Sequence, residues 1–377
     1  MVTRFSKTTL LSISVLALII AAGIIYFLVI RQLEHPPQML PTQLIVGQLN
    51  SGRPIFLSQE YLPFVPADLK NRVPTPVESL DAGQHSATFY RLNREKHYGA
   101  VLVGAEPAWK PLAASLLQSP LWVLADVSPW GYLFTPIGSK GWSMPDEKTL
   151  EKNWPSKAVR TWWLIGTSKS LILIGRTREA QLLLDEAEST HRMPSLLLAT
   201  KASLEASRGR WEEAMALSKQ SLARDPRNKT ASLILARALI ECGHREEAYT
   251  LASQLAAAPR DDTDNGESFF LLARAAHAVG ADDVEIESLN RLVELERRNG
   301  QPTGSTLTYL GQAYAKRGNR GEALRSLEQA FAAPELSDEQ RGMIREIMDH
   351  LAVDAPQSAT PNHPGSSIHT PSSPVTP

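Results

Sequence analysis

Polar and charged side chains recur at nearly constant intervals in the second half of the chain. They are separated by 34, 34, 37 and 38 residues and comprise Lys169, Ser203, Arg237, Arg274 and Gln312. His277 follows Arg274 by one helical turn. Guanidinium, ammonium and imidazolium groups form strong charge-assisted hydrogen bonds with carboxylates, so this set could bind an acidic ligand if it shares one surface. Whether it does depends on the elements that carry it.

Candidates for catalysis are few. Asp126 ends a predicted strand beside Trp130, where a structural turn aspartate is favoured over a catalytic one. His85 and His97 have no further ligand at metal-binding spacing. No nucleophile elbow, phosphate-binding glycine loop or HExxH motif occurs. We therefore expect no enzyme, no metal and no cofactor, and we expect Cys242, the one cysteine, to be a packing residue.

Charge argues against a polyanionic partner. The 377 residues carry a net charge of −1, distributed as +2 over 1–30, +2 over 31–160, −4 over 161–352 and −1 over 353–377. No block of like charge could neutralise a row of phosphates, so we expect no nucleic-acid partner.

The first elements of the chain predict a membrane anchor. Residues 8–30 are 23 uncharged, mostly aliphatic residues, long enough to cross a bilayer as a helix. A cleaved signal peptide is the alternative, but the apolar run continues past its small-residue site. Arg4 and Lys7 precede the segment and only Arg31 follows closely, which predicts a cytoplasmic N-terminus and a body outside the cytoplasm, periplasmic in a Gram-negative cell.

Residues 36–155 predict a small α/β domain. Strands are expected at 44–49, 55–57, 100–103, 121–125 and 132–135, with helices near 84–96 and 108–117. Prolines 63, 66, 74 and 76 are expected to interrupt regular structure. The stretch 98–134, with GAVLVG, PLAASLL and LWVLADVSPWGYLF, resembles the soluble C-terminal domain of protein-mannosyltransferase-like membrane glycosyltransferases. That resemblance implies an accessory domain without transferase activity.

The remainder of the chain repeats. Glycines recur at the intervals given above, and a small residue follows each by five positions except at Glu285; the glycines are Gly175, Gly209, Gly243, Gly280 and Gly318. Together with Leu310-Gly311, Tyr314 and Pro334, this pattern resembles the tetratricopeptide repeat (TPR) family of helix-turn-helix units. Five units over 161–334 are implied, followed by a capping helix over 335–352 that Ser337 and Gln340 begin, and by a Pro/Ser/Thr-rich tail over 353–377 without the residues to form a core.

The resemblance implies an α-solenoid whose inner surface comes from the first helix of each unit. Lys169, Arg237, Arg274, His277 and Gln312 would then lie on that concave face and bind a protein or peptide partner bearing carboxylates. In the alternative, Glu241 and Glu267 neutralise the arginines. The expected function is a membrane-anchored scaffold or adaptor; the alternative is an accessory, non-catalytic component of cell-envelope glycosyl-transfer or glycan-binding machinery.

Overall fold

The computed structural model describes residues 53–65, 67–84, 86–105, 109–139, 141–142, 156–257 and 266–353. The predicted span 8–30, the predicted strand 44–49 and nearly all of the predicted tail lie outside these residues. Among the helices that are described, none has both the length and the apolar character needed to cross a bilayer. The chain divides into two compact units at Gln301/Pro302.

The first unit begins with a four-stranded sheet. Its strands are β1 (Ile55–Leu57), β2 (Ala100–Gly104), β3 (Trp122–Ser128) and β4 (Gly131–Pro136), in the spatial order β1-β2-β4-β3. The first two are parallel, and the β3–β4 hairpin pairs antiparallel with β2. The helices of this region are α1 (Pro76–Gln84), α2 (Ser86–Lys96) and α3 (Lys110–Gln118), with two 3₁₀ helices at Gln59–Phe64 and Ala67–Arg72. The described strands and α3 match the predicted positions closely.

The expectation that prolines interrupt this region is wrong at Pro76. That residue begins α1, because proline lacks only an amide hydrogen that the first helical turn leaves unbonded anyway. Thr75 and Glu78 close the helix start reciprocally: the Thr75 amide donates to Glu78 Oε2 at 2.8 Å, and the Glu78 amide donates to Thr75 Oγ1 at 3.3 Å. The sequence Thr-Pro-Val-Glu is therefore a helix start.

Both faces of the sheet are covered, which explains why its strands are almost continuously apolar. Successive strand residues point to opposite faces. Phe56 and Val103 pack with Phe89 of α2 and Leu112 of α3 in the larger core. The other face carries a smaller core, in which Ile55, Leu57 and Leu102 pack with Tyr61, Val65 and Val73.

The β3–β4 hairpin is docked on the helix that follows, α4 (Lys157–Leu173). The Tyr132 hydroxyl donates to the Ser170 carbonyl at 2.7 Å, and Ser170 Oγ donates to the Ser128 carbonyl at 2.8 Å. Gly166 is needed at the contact, because a Cβ there would lie 2.6 Å from Cβ of Pro129. The larger core continues through this contact as far as Leu204, so the sheet and the first helices share one interior.

The rest of the first unit is a row of helix pairs. Each pair has a first and a second helix: α4 with α5 (Thr177–Ser189), α6 (Pro194–Ser207) with α7 (Trp211–Arg224), α8 (Lys229–Glu241) with α9 (Arg245–Ala257), and α10 (Gly266–Val279) with α11 (Asp282–Arg298). The predicted glycine turns are confirmed. At Gly175, for example, φ is +78°, and the Arg176 amide donates to the Leu171 carbonyl at 2.9 Å to close the helix end. Ala180, Ala214 and Ala248 are fully buried, as expected for small residues between paired helices.

The second unit contains α12 (Gly304–Lys316), α13 (Arg320–Phe331) and α14 (Asp338–Val353). Gly311 lets α12 and α13 approach, since a Cβ there would lie 2.6 Å from Cγ of Leu327. The predicted capping box is present: the Ser337 amide donates to Gln340 Oε1 at 2.8 Å, and the Gln340 amide donates to Ser337 Oγ at 3.2 Å. It precedes α14 as the sequence predicts.

Candidate functional site

The first helices of the first unit are neighbours of one another. Helix α4 packs on α6, α6 on α8 and α8 on α10, while the second helices α5, α7 and α9 each pack between their own first helix and the next one. Equivalent exposed residues of α4, α6, α8 and α10 therefore form one surface, which we call the first-helix face. Lys169, Arg237, Arg274 and His277 belong to these helices.

Two ion pairs join one helix pair to the next on this face. Arg237 Nη2 of α8 lies 2.9 Å from Oε1 of Glu267 on α10, and Arg274 Nη2 of α10 lies 3.0 Å from Oε1 of Glu241 on α8. The arginine side chains keep 42% and 36% of their exposure. The arrangement is thus the one in which the glutamates neutralise the arginines, and the four side chains carry no net charge.

His277 is also engaged by a carboxylate. Its Nδ1 lies 3.0 and 3.1 Å from the two carboxylate oxygens of Glu285 on α11. Glu285 occupies the position at which the other helix pairs have a small residue, and its side chain is only 9% exposed. The histidine stays 61% exposed, so it covers the carboxylate from the solvent side. Its first contribution is to the packing of α10 on α11.

The remaining predicted site residues are exposed. Lys169 lies on α4, and its side chain makes no ion pair with the part of the chain that the structure describes. Gln312 lies on α12 of the second unit and is likewise exposed. The structure therefore brings Arg237, Arg274 and His277 to two adjacent helices.

Asp126 lies within β3, beside a bulge between Leu124 and Asp126, and not at the strand end that the sequence predicts. Burial raises the pKa of its carboxyl group, and a hydrogen bond from the Val127 backbone opposes that effect. Within the described ranges, no group of three or more His, Cys, Asp or Glu residues could hold a metal ion.

The sequence does not indicate a cleft that lies beside the sheet. Arg53, Asn93, Lys96, Tyr98 and Trp122 are among the residues that line it. They come from the approach to β1, the end of α2 and the start of β3, so no spacing along the chain links them. Among the lining residues, His97 is a candidate in the sequence only as half of a histidine pair.

Helix pairs that pack only on adjacent pairs define the class of helical-repeat proteins. Residues 206–268 match the tetratricopeptide repeat family model. The resemblance that the glycine and alanine spacing indicates is thereby confirmed in the C-terminal half of the chain. No curated protein sequence matches the chain.

Three solved structures are similar to parts of this chain. The Cut9–Hcn1 hetero-tetramer of APC/C is 14% identical over 52% of this chain and 36% of its own, with a TM-score of 0.45. MamA (residues 41 to end) from Desulfovibrio magneticus RS-1 is 18% identical over 44% and 90% of the two chains, with a TM-score of 0.38. TTC0263, a TPR protein of Thermus thermophilus, is 18% identical over 50% and 97%, with a TM-score of 0.39. The chain thus spans about a third of the length of the first of these.

Proposed function

We propose that this protein is a membrane-anchored TPR scaffold that binds an extended, carboxylate-bearing segment of another protein along the first-helix face. The observation that carries the proposal is the presence of two exposed ion pairs between neighbouring helix pairs, Arg237 with Glu267 and Arg274 with Glu241. They place two guanidinium groups on neighbouring first helices.

The glutamates do not make these arginines unavailable. An exposed ion pair contributes only about 0–1 kcal/mol, because water competes for both charges. A partner carboxylate can therefore replace a glutamate at small cost, particularly when other contacts hold the peptide on the helices. Bidentate guanidinium–carboxylate bonds would then select an acidic segment.

Lys169 extends the same surface toward the sheet. It lies on α4, two helix pairs before Arg237, and carries an exposed ammonium group. A segment that contacts Lys169, Arg237 and Arg274 must be extended, since the three residues belong to three different helix pairs. This favours a peptide over a compact small molecule.

The anchor and its orientation complete the proposal. Residues 8–30 would hold the scaffold at the membrane, with the repeats on the outer side. In intact spheroplasts, added protease should then degrade the body of the protein. Complete protection of the body in intact spheroplasts, with degradation after lysis, would overturn this orientation.

The binding face is tested with charge-matched variants of the full-length protein in mild detergent. Arg237→Ala combined with Arg274→Ala should reduce binding to acidic spots of a synthetic peptide array by about tenfold or more, as expected when two charge-assisted contacts are lost. The same double variant should also lose, from the proteins that co-purify with the wild type, those that bind through an acidic segment. Arg291→Ala combined with Arg298→Ala is the control, because these exposed arginines lie on the second helix α11 and pair within that helix.

A charge exchange separates binding from folding. Arg274→Glu with Glu241→Arg keeps the ion pair between α8 and α10 but moves the guanidinium to the other helix. The variant should fold normally and bind a different subset of acidic peptides. If both the double-alanine variant and the exchange bind the wild-type set, the first-helix face is not the binding surface.

A further inference from the structure

The cleft beside the sheet has the size of a small-ligand site. Its volume is about 520 Å³, and it lies where the end of α2 meets the start of β3 and the end of β4. Ligand pockets typically occupy about 300–1,000 Å³. The cleft is built entirely from the sheet region, so a ligand there would not depend on the repeats or on the proposed scaffold function.

Two buried donors at the cleft have no acceptor. Tyr98 and Trp122 both line it and are only 4% and 7% exposed. The Tyr98 hydroxyl and the Trp122 Nε1 make no hydrogen bond within the described part of the chain. Leaving a buried donor unsatisfied costs about 1–3 kcal/mol, so both groups are polar atoms that the fold alone does not satisfy.

The tyrosine is held in its donor form. Burial raises the pKa of Tyr98, and the negative charges of Glu78 and Glu95 raise it further. A phenol already keeps its proton at neutral pH, so the raised pKa only extends to higher pH the range over which Tyr98 is a donor. A Trp Nε1 can only donate.

The turn that ends α2 brings more donors to the same place. His97 adopts a left-handed conformation with φ of +52°, unusual for a residue other than glycine. The side-chain oxygen of Asn93 holds this turn by accepting a hydrogen bond from the Tyr98 amide at 3.1 Å. The donor end of the Asn93 side chain is then left for another partner. Both His97 and Asn93 line the cleft.

Arg53 gives the cleft a net positive charge, because Glu78 neutralises Lys96 and Glu95 pairs with Arg91. Arg53 is exposed there, and Lys96 is bound by Glu78, with Nζ 3.1 and 3.0 Å from the two carboxylate oxygens. One of the three hydrogens of the ammonium group remains beyond those two contacts. Arg53, Lys96 and Asn93 carry donors that are only partly used or unused within the described residues, so the matching ligand has acceptor atoms at one end.

One wall of the cleft is apolar and exposed. The side chains of Leu121 and Ile137 are 59% and 68% exposed, and a 2.9 Å hydrogen bond from the Ile137 amide to the Leu121 carbonyl holds the two residues side by side. Pro136 adds to the same wall. Exposed apolar residues next to a cationic donor cluster fit a ligand with both a charged end and a hydrocarbon part.

We propose that this cleft binds an amphiphilic anion, whose phosphate or carboxylate end contacts Arg53 and Lys96 and whose hydrocarbon part covers Leu121 and Ile137. Its oxyanion would accept hydrogen bonds from the exposed guanidinium of Arg53 and from the ammonium hydrogen of Lys96 that Glu78 leaves unused. Neither half of such a ligand alone satisfies both walls.

The test uses the full-length protein and four water-soluble probes: hexyl phosphate, hexanoate, inorganic phosphate and hexanol. Calorimetric titration should show saturable 1:1 binding of hexyl phosphate or hexanoate, and at least tenfold weaker binding of inorganic phosphate and of hexanol. Arg53→Gln should weaken binding of the amphiphilic anion by about tenfold, and Ile137→Ser by a smaller factor. Arg91→Gln is the matched control, since this exposed arginine of α2 pairs with Glu95 on its own helix and does not line the cleft.

Two results would overturn the proposal. One is the absence of saturable binding for both hexyl phosphate and hexanoate; the other is equal affinity in the Arg53→Gln and Arg91→Gln variants. Binding of hexanol as tight as that of hexyl phosphate would contradict the anionic part. Competition then identifies the source: displacement of the bound probe by nanodiscs containing phosphatidic acid indicates a lipid, and displacement by glycerol 3-phosphate indicates a soluble ester.

Discussion

Nδ1 of His277 lies 3.0 Å from Oε1 of Glu285, across the turn that joins α10 to α11. The carboxylate is buried in the place where the other units have alanine. A buried carboxylate needs hydrogen-bond partners, because its desolvation is otherwise costly. The histidine therefore compensates for the glutamate that replaces the usual small residue at this position. His277 and Glu285 are thus expected to depend on each other for stability.

This coupling predicts unequal effects of the two single variants. His277→Ala should lower the local stability of α10 and α11 by about 0.5–1.5 kcal/mol, because a buried acceptor loses a partner. Glu285→Ala should be neutral or stabilising, since alanine is the residue that fits this position in the other units. Hydrogen exchange of peptides spanning 266–298 measures the change.

The double variant is the control. His277→Ala with Glu285→Ala should resemble Glu285→Ala alone, because the histidine has no carboxylate left to cover. If His277→Ala were as harmful in the Glu285→Ala background as in the wild type, the two residues would be independent.

The repeats are predictable because their signals are local. Gly209 and Gly243 mark helix ends through backbone conformation alone, and Ser337 with Gln340 marks a helix start within four residues. The reciprocal arginine–glutamate pairs are within reach of the sequence too, since the repeat period brings Arg237 and Glu267 onto neighbouring first helices. The sequence nevertheless leaves open whether those arginines are paired, because pairing depends on side-chain conformations.

The cleft and the docking of the hairpin are not predictable in this way. Arg53 and Trp122 meet only through the order of the strands in the sheet, which no local pattern reveals. The same holds for Gly166, whose lack of a side chain has meaning only once Pro129 lies against it. Tertiary contacts between distant segments decide both features.

Gly166 should be intolerant of even a methyl group. A Cβ at this position would lie 2.6 and 2.9 Å from Cβ and Cγ of Pro129, so Gly166→Ala must push the hairpin away from α4 or distort it. We expect the free energy of unfolding to fall by about 1–3 kcal/mol, as for other overpacked contacts. The Trp130 and Trp162 rings, with centroids 5.5 Å apart, report on this contact through their coupled near-ultraviolet circular dichroism, which should weaken.

Gly342→Ala is the matched control for that variant. Gly342 lies inside α14, and a Cβ there would meet nothing within 4 Å. Alanine should therefore stabilise the helix by about 0.5–1 kcal/mol and leave the tryptophan signal unchanged. An unchanged signal in Gly166→Ala as well would show that the hairpin contact tolerates a side chain.

Asn228 should be important because both ends of its amide are used. Oδ1 caps α8 by accepting from the Ala231 amide at 3.1 Å, and Nδ2 donates to Ser195 Oγ at 2.9 Å and Ser221 Oγ at 3.3 Å on the preceding helix pair. Asn228→Ala should cost about 1–2 kcal/mol, whereas Asn228→Asp keeps the cap and should cost less. Asn319→Ala is the control, since Asn319 precedes α13 without a side-chain capping bond; equal shifts of the calorimetric unfolding temperature in Asn228→Ala and Asn319→Ala would refute the capping role.

Cys242 should be a slow nucleophile. Burial raises the pKa of its thiol, and the negative charges of Glu212 and Glu241 raise it further. Because the thiolate is the reactive form, alkylation by iodoacetamide should be slower than for free cysteine at pH 8, and its rate should rise with pH through a midpoint above that of a free thiol.

Glu212→Gln removes one of the negative charges and should shift this midpoint to lower pH, without abolishing the part of the shift that burial causes. Glu213→Gln, at the neighbouring exposed carboxylate of α7, should leave the profile unchanged. Since the chain has one cysteine, mass spectrometry of the intact protein follows the reaction directly, and identical profiles for both glutamine variants would show that Glu212 does not act on the thiol.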